Sequence, residues 1–294
     1  MVRSLPAPFL RILVPGSLAL TVLAGTAAAE RLTVRFPSLD AARTGIAGEL
    51  YRPDKAGRHA AVVMMHGCSG PYTKSGRTQK NWAAWFERLS GWGYVVLAVD
   101  AFNPRGFRSM CARSQRPLDE LDDRPFDAYG ALAWLARQPY VRPDRIALVG
   151  WSNGAMATLS AMDGRAPARF AAAAHRFRAA AAFYPGCTRI AGRGWRPHAP
   201  VLVLVGLADD WTWPKPCIAL VESARAAGAA AEIEAYAGAY HAFDHPDLKL
   251  RTRTARNAAW RSRPERTVHI GANPAARAAA IRRLAAFLAL TLAD

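Results

Sequence analysis

Short apolar, β-branched runs alternate with longer amphipathic stretches through most of this chain, and that alternation leaves few folds open. The runs are Ala60–Met65, Tyr94–Val99, Ile146–Val149, Ala180–Phe183, Val201–Val205 and Ala231–Tyr236. Between them the spacing predicts helices over Asn81–Leu89, Asp127–Arg137, Asn153–Met162 and Lys215–Ala227, with a last one over Pro274–Leu292. Short strands separated by helices predict an α/β fold: a mostly parallel central sheet with helices on both faces. Leu32–Tyr51 adds one or two edge strands. Asp244–Gly271 breaks the pattern. It is polar, arginine-rich and without clear period, and is expected to form an irregular surface excursion before the last helix. There is no internal repeat and no low-complexity linker, so residues 30–294 are expected to form one domain.

The first 29 residues stand apart. Met1–Arg11 carries Arg3 and Arg11 and no acid, and Ile12–Gly25 is apolar but for Pro15, Gly16, Ser17 and Thr21. Small residues follow at Ala27-Ala28-Ala29. This is the form of a secretory signal, with Glu30 opening the mature chain. Its ~14 apolar residues fall short of the ~20 needed to span a bilayer. The expectation is an exported protein, periplasmic or secreted, with no membrane partner once the signal is removed. The formal charge is +17, and lysine occurs only at 55, 74, 80, 215 and 249. The arginines are scattered, except for six between Leu248 and Arg266. Scattered charge reads as solvated surface and not as a nucleic-acid face, while a basic face toward acidic substrates stays open. Four cysteines, Cys68, Cys111, Cys187 and Cys217, point to two disulfides in an exported chain, with three pairings allowed. None has C-x-x-C spacing, so no zinc site is expected.

Gly150-Trp151-Ser152-Asn153-Gly154 lies where a strand gives way to a helix. In a parallel sheet, functional groups gather at the carboxyl ends of strands. A nucleophile there needs a sharp turn with small neighbours, which Gly150 and Gly154 supply. The motif alone also fits a turn serine that caps the following helix. A serine hydroxyl attacks only if a base takes its proton and a third group orients the base. Val201–Val205 runs into Gly206-Leu207-Ala208-Asp209-Asp210, and Ala231–Tyr236 runs into a loop holding His241. Asp209 is preferred to Asp210, which is expected to cap the loop or the helix near Pro214. His241 is preferred to His245, which lies deeper in the polar excursion and precedes a proline. Ser152, Asp209 and His241 thus follow one another at successive strand ends, the order of an α/β-hydrolase. Earlier in the chain, Ala60–Met65 leads into His66-Gly67-Cys68-Ser69-Gly70. A glycine-containing turn there lets backbone N–H groups converge on an oxyanion, and the N–H groups of Cys68 and Asn153 are the candidates. His66 is then a structural residue that holds the loop.

With these residues in place, the chain resembles the dienelactone hydrolase family. The likeness rests on "VVMMHGCSG", "VVLAVDAFNPRG", "DAYGALAWL", "LVGWSNGAMA", "LVGLADDWTWP" and "AYHAFD", and runs from about residue 45 to 245 plus the terminal helix. It implies hydrolysis of small-molecule esters or lactones without a metal or organic cofactor. The best-known members carry cysteine at the elbow, where this chain has Ser152. The family arrangement also implies the pairings Cys187–Cys217 and Cys68–Cys111, bracing loops around the site. It puts Cys217 on an adjoining strand, whereas periodicity puts it in a helix. Trp151, Tyr72, Phe107, Trp211 and Trp213 are candidates to line an acyl pocket. Arg105 is expected to bond the backbone and not a substrate carboxylate. No long lid insertion is visible. A polyester- or peptide-cleaving relative shares the Gly-Trp-Ser elbow, and a binding protein on the same scaffold is the reading from another class. The intact Ser, Asp and His set argues against the latter.

Overall fold

The computed structural model describes residues 1–2, 30–111, 113, 116–256 and 265–293. The export signal expected over residues 1–29 lies, but for its first two residues, outside them. An eight-stranded sheet carries the order β1-β2-β4-β3-β5-β6-β7-β8. Its strands are β1 (Glu30–Pro37), β2 (Gly45–Arg52), β3 (His59–Met65), β4 (Val95–Asp100), β5 (Val141–Trp151), β6 (Ala179–Phe183), β7 (Val201–Gly206) and β8 (Ala231–Tyr236). The pairs β1–β2 and β2–β4 are antiparallel, and from β4 onward every pair is parallel. Parallel neighbours need a crossover, which helices supply.

Along β3, side chains alternate between two apolar layers. Val63 and Met65 join the layer under α2 (Arg124–Ala136), α3 (Asn153–Ala161) and α6 (Pro214–Ala226). Val62 and Met64 join the layer under α1 (Lys80–Gly91) and α7 (Pro274–Thr291). Two short helices, α4 (Ala166–Arg169) and α5 (Thr188–Ala191), fill connections. The expected strands and helices are all present, β5 being longer at its polar start and both edge strands forming.

The segment 244–271 differs from expectation. It contains an antiparallel hairpin, β9 (Arg251–Arg256) with β10 (Glu265–Ile270), in the register Arg253↔Val268 and Arg251↔Ile270. Ala255, Val268 and Ile270 pack on Cys68, Cys111 and Trp211. The guanidinium of Arg253 lies 4.9 Å from the ring centre of Trp211. Long basic side chains cover apolar surface with their stems, so an arginine on the inner face does the packing of an aliphatic residue. The segment thus forms a roof over the strand ends, where no lid was expected. The chain leaves and re-enters beside His241, whose carbonyl accepts from Gly271 N–H at 3.1 Å.

Candidate active site

Ser152 joins β5 to α3 with φ 52° and ψ −114°, a conformation that costs a non-glycine residue about 1–3 kcal/mol. The surroundings impose it. A Cβ on Gly150 would run into the Thr158 hydroxyl and the Gly154 carbonyl, and one on Gly154 into the Met65 carbonyl. Strand and helix therefore meet so closely that the side chain between them is pushed outward.

The three residues singled out by chain order stand in one hydrogen-bonded line. Ser152 Oγ lies 3.0 Å from His241 Nε2, and His241 Nδ1 lies 2.8 Å from Asp209 Oδ2. Asp209 Oδ1 accepts from the backbone N–H groups of Trp211 (2.9 Å) and Thr212 (2.8 Å), while Oδ2 accepts from the Thr212 hydroxyl at 2.9 Å. That carboxylate has no freedom to rotate, so the imidazole it faces is fixed. Asp210 does not cap the loop or α6. Its oxygens take the backbone N–H and Nδ1 of His269 on β10, at 2.8 and 2.7 Å, and tie the roof to the acid loop. His245 reaches Asp247 at 3.3 Å and not the serine.

His66 holds its loop as expected. Its Nε2 accepts from Ala101 N–H at 3.2 Å, which leaves Nδ1 to donate to the Gly67 carbonyl at 2.8 Å. Burial, with Arg124 nearby, pushes this imidazole well below its ordinary pKa. Arg105 bonds the Ala101 carbonyl at 2.8 Å and the carboxylates of Asp127 and Asp40. It faces no cavity that holds Ser152.

Sequence reasoning missed two buried groups. Asp244 is 1% exposed, and its carboxylate accepts from the indole N–H of Trp85 (2.6 Å) and Trp151 (2.8 Å), Asn81 Nδ2 (3.2 Å) and the Tyr184 hydroxyl (2.7 Å). It links α1, the elbow and the residue after β6, and Tyr184 packs edge-on against His241 with ring centres 4.6 Å apart. Burial and this carboxylate push the Tyr184 phenol well above its ordinary pKa. The second group is Arg124, fully buried at the start of α2, with burial pushing it down to about 10. Asp244 lay in a stretch already quoted, "AYHAFD". Arg124 sat in a charged run that resembled surface.

Ser152 and His241 open on a cavity of about 210 Å³. Trp82, Trp151 and Trp211 give it aromatic walls, and Arg251 and Arg253 of the roof face it from above. Of the five aromatic candidates only Trp151 and Trp211 line it. Tyr72 bonds Glu49, Phe107 packs against Phe102 with the rings tilted, and Trp213 lies at the surface. The cysteines pair as Cys68–Cys111 and Cys187–Cys217. Cys217 sits on α6 and not on a strand, since Pro214 at the first helical turn starts the helix before it. Among the described residues, no group of three or more His, Cys, Asp or Glu is arranged to hold a metal, and no helix is long and apolar enough to cross a membrane.

The family model for dienelactone hydrolases matches residues 46–291, nearly the whole of the sheet and its helices. The chain belongs to the dienelactone hydrolase family. Membership makes this dienelactone hydrolase family protein an ester hydrolase. Among solved structures it is similar in fold to a dienelactone hydrolase-like promiscuous phosphotriesterase from metagenomic libraries, at 19% identity and TM-score 0.64, covering 90% of this chain and 99% of that one. It is likewise similar to esterase 2 of Thermogutta terrifontis, at 18% identity and TM-score 0.63, covering 90% and 96%. A probable dipeptidyl-aminopeptidase B of Arthroderma gypseum is 30% identical over 114 residues, which is 37% of this chain and 12% of that much longer protein.

Proposed function

We propose that this family member cleaves carboxylic esters and lactones through a Ser152–His241–Asp209 triad and an acyl-enzyme. The observation that carries the reading is the unbroken line from Ser152 Oγ through both imidazole nitrogens to a carboxylate with fixed orientation. His241 takes the Ser152 proton as the serine attacks the carbonyl. The oxyanion then rests on the N–H groups of Cys68 and Asn153. Asn153 is the first residue of α3, so its N–H has no acceptor within the helix. The Cys68 N–H shares its peptide plane with the Gly67 carbonyl, which accepts from His66 Nδ1 at 2.8 Å and from Gly70 N–H at 3.1 Å, and this holds the donor in place. The alcohol leaves with the proton, and water repeats the steps to release the acid.

The cavity favours a substrate with an aromatic or unsaturated body and an acidic group. The tryptophans offer flat apolar walls, while Arg251 and Arg253 bring two cations, with no carboxylate lining the cavity among the described residues. Export as a mature chain 30–294 is part of the same reading, and two disulfides support it. A serine-reactive fluorophosphonate should label the wild type at Ser152 and leave Ser152→Ala unlabelled. Hydrolysis of p-nitrophenyl acetate by Ser152→Ala should drop by several orders of magnitude, and near-normal turnover would reject the assignment. A dipeptide p-nitroanilide in the same panel separates esterase from peptidase action.

A further inference from the structure

We propose that Arg124 is a positioning residue that sets the spacing between the two halves of the oxyanion hole, an inference that rests on the Ser152 reading above. The two N–H groups come from separate pieces of chain, the loop after β3 and the first residue of α3. Arg124 bridges them from α2. One terminal nitrogen, Nη1, donates to the His66 carbonyl at 2.8 Å and to Asn153 Oδ1 at 2.5 Å. His66 lies two residues before Cys68, and Asn153 carries the second N–H itself. The Asn153 amide is held at its other end too, since Nδ2 donates to Glu120 at 3.3 Å. Glu120 is in turn fixed by Arg116 (3.1 Å) and Arg189 (2.9 Å).

The rest of the guanidinium argues that stability alone does not keep an arginine here. Its Nε and Nη2 are buried and have no hydrogen-bond partner among the described residues. The group lies over the ring of Phe102, 5.0 Å from its centre. A buried donor without an acceptor costs about 1–3 kcal/mol. Apolar replacement of buried charges is often neutral or stabilising. Arg124 also occupies the first turn of α2, the end of a helix that disfavours a cation. A methionine of similar length would satisfy the packing. What it lacks is one nitrogen that spans two acceptors, one on the loop after β3 and one on α3.

The test starts with fluorophosphonate labelling of the wild type. If Ser152 is not labelled, the triad reading falls and this inference with it, which is a different failure from an absent Arg124 effect. With labelling established, Arg124→Met should stay folded, hold KM within about twofold and lose about 10- to 100-fold in kcat, the scale of a disturbed oxyanion donor. An arylboronic acid, whose tetrahedral serine adduct puts an oxygen in the hole, should bind more weakly by the same factor. A role in stability only would lower the melting temperature and leave both values unchanged per folded molecule. Should Arg124→Met not fold, Asn153→Ala cuts the same bridge at its other end and keeps the backbone N–H. It should show the same fall in kcat and in boronic acid affinity at constant KM. Either folded variant with kcat and boronic acid affinity within threefold of wild type overturns the proposal, as does a fall in kcat with boronic acid binding intact.

Discussion

Exchanging one atom of Asp209 should remove almost all turnover while the fold survives. In Asp209→Asn, Oδ1 stays where it accepts from the N–H groups of Trp211 and Thr212, because an amide nitrogen turned toward them would set donor against donor. The new amide NH₂ then takes the place of Oδ2, 2.8 Å from His241 Nδ1. A donor now faces that nitrogen, so the ring must accept there and carry its proton on Nε2. Nε2 is the atom 3.0 Å from Ser152 Oγ, and a protonated nitrogen takes no proton from serine. A wrong tautomer of this kind lowers kcat by about 10⁴, which is about 5.4 kcal/mol at 1.36 kcal/mol per decade. The loss should appear in initial rates on p-nitrophenyl acetate, with the melting temperature within a few degrees of wild type. Asp209→Ala is the control: it strands two buried N–H groups at about 1–3 kcal/mol each, so both activity and melting temperature should fall. Asp209→Asn with more than about a tenth of wild-type kcat, properly folded, would refute the assignment of Asp209 as the orienting group.

Other outcomes follow from the same geometry. Arg253→Gln together with Arg251→Gln should raise KM for esters that carry a carboxylate by about tenfold, the scale of one charge-assisted contact, and leave neutral esters unaffected; steady-state kinetics on matched pairs checks this. Cys68→Ser with Cys111→Ser opens a 43-residue loop, worth about 4 kcal/mol of unfolded-state entropy, and should lower the denaturant midpoint accordingly. His66 is held neutral in the fold, with its pKa below the ordinary 6.5. The unfolded chain therefore binds the extra proton first, so the stability tied to this ring is complete above pH 6.5 and is lost as pH falls below it. His66→Gln, whose side-chain oxygen accepts from Ala101 N–H in place of Nε2, should flatten that acid slope in unfolding titrations.

The core of the sheet was legible because β3 to β7 are buried on both faces and their sequences say so residue after residue. Asp209 and His241 were legible because strand ends order them. The hairpin was not, since its inner face presents Arg251, Arg253 and Ala255, and only the stacking of Arg253 on Trp211 makes an arginine behave as apolar. Asp210 pairs with a histidine 59 positions away, a partner that no local rule reveals. Asp244 and Arg124 were hidden for a related reason. A carboxylate bonded to two indoles, or a guanidinium bonded to a carbonyl and an amide, has partners scattered over 29 to 163 positions of chain. Composition registers such residues as surface charge.

The roof has one further consequence. Its two ends stand side by side at His241 and Gly271, closed by a backbone hydrogen bond. Doubling the length of such an insert costs only about 0.6 kcal/mol in closure entropy. The outer part of the roof, from Leu248 to Ile270, is in effect an insert between His241 and the closing helix, with Asp244 left at its root to hold the elbow. A longer or shorter hairpin changes what covers the cavity at little entropic cost, provided that Asp244 at its root and the Asp210–His269 pair are kept.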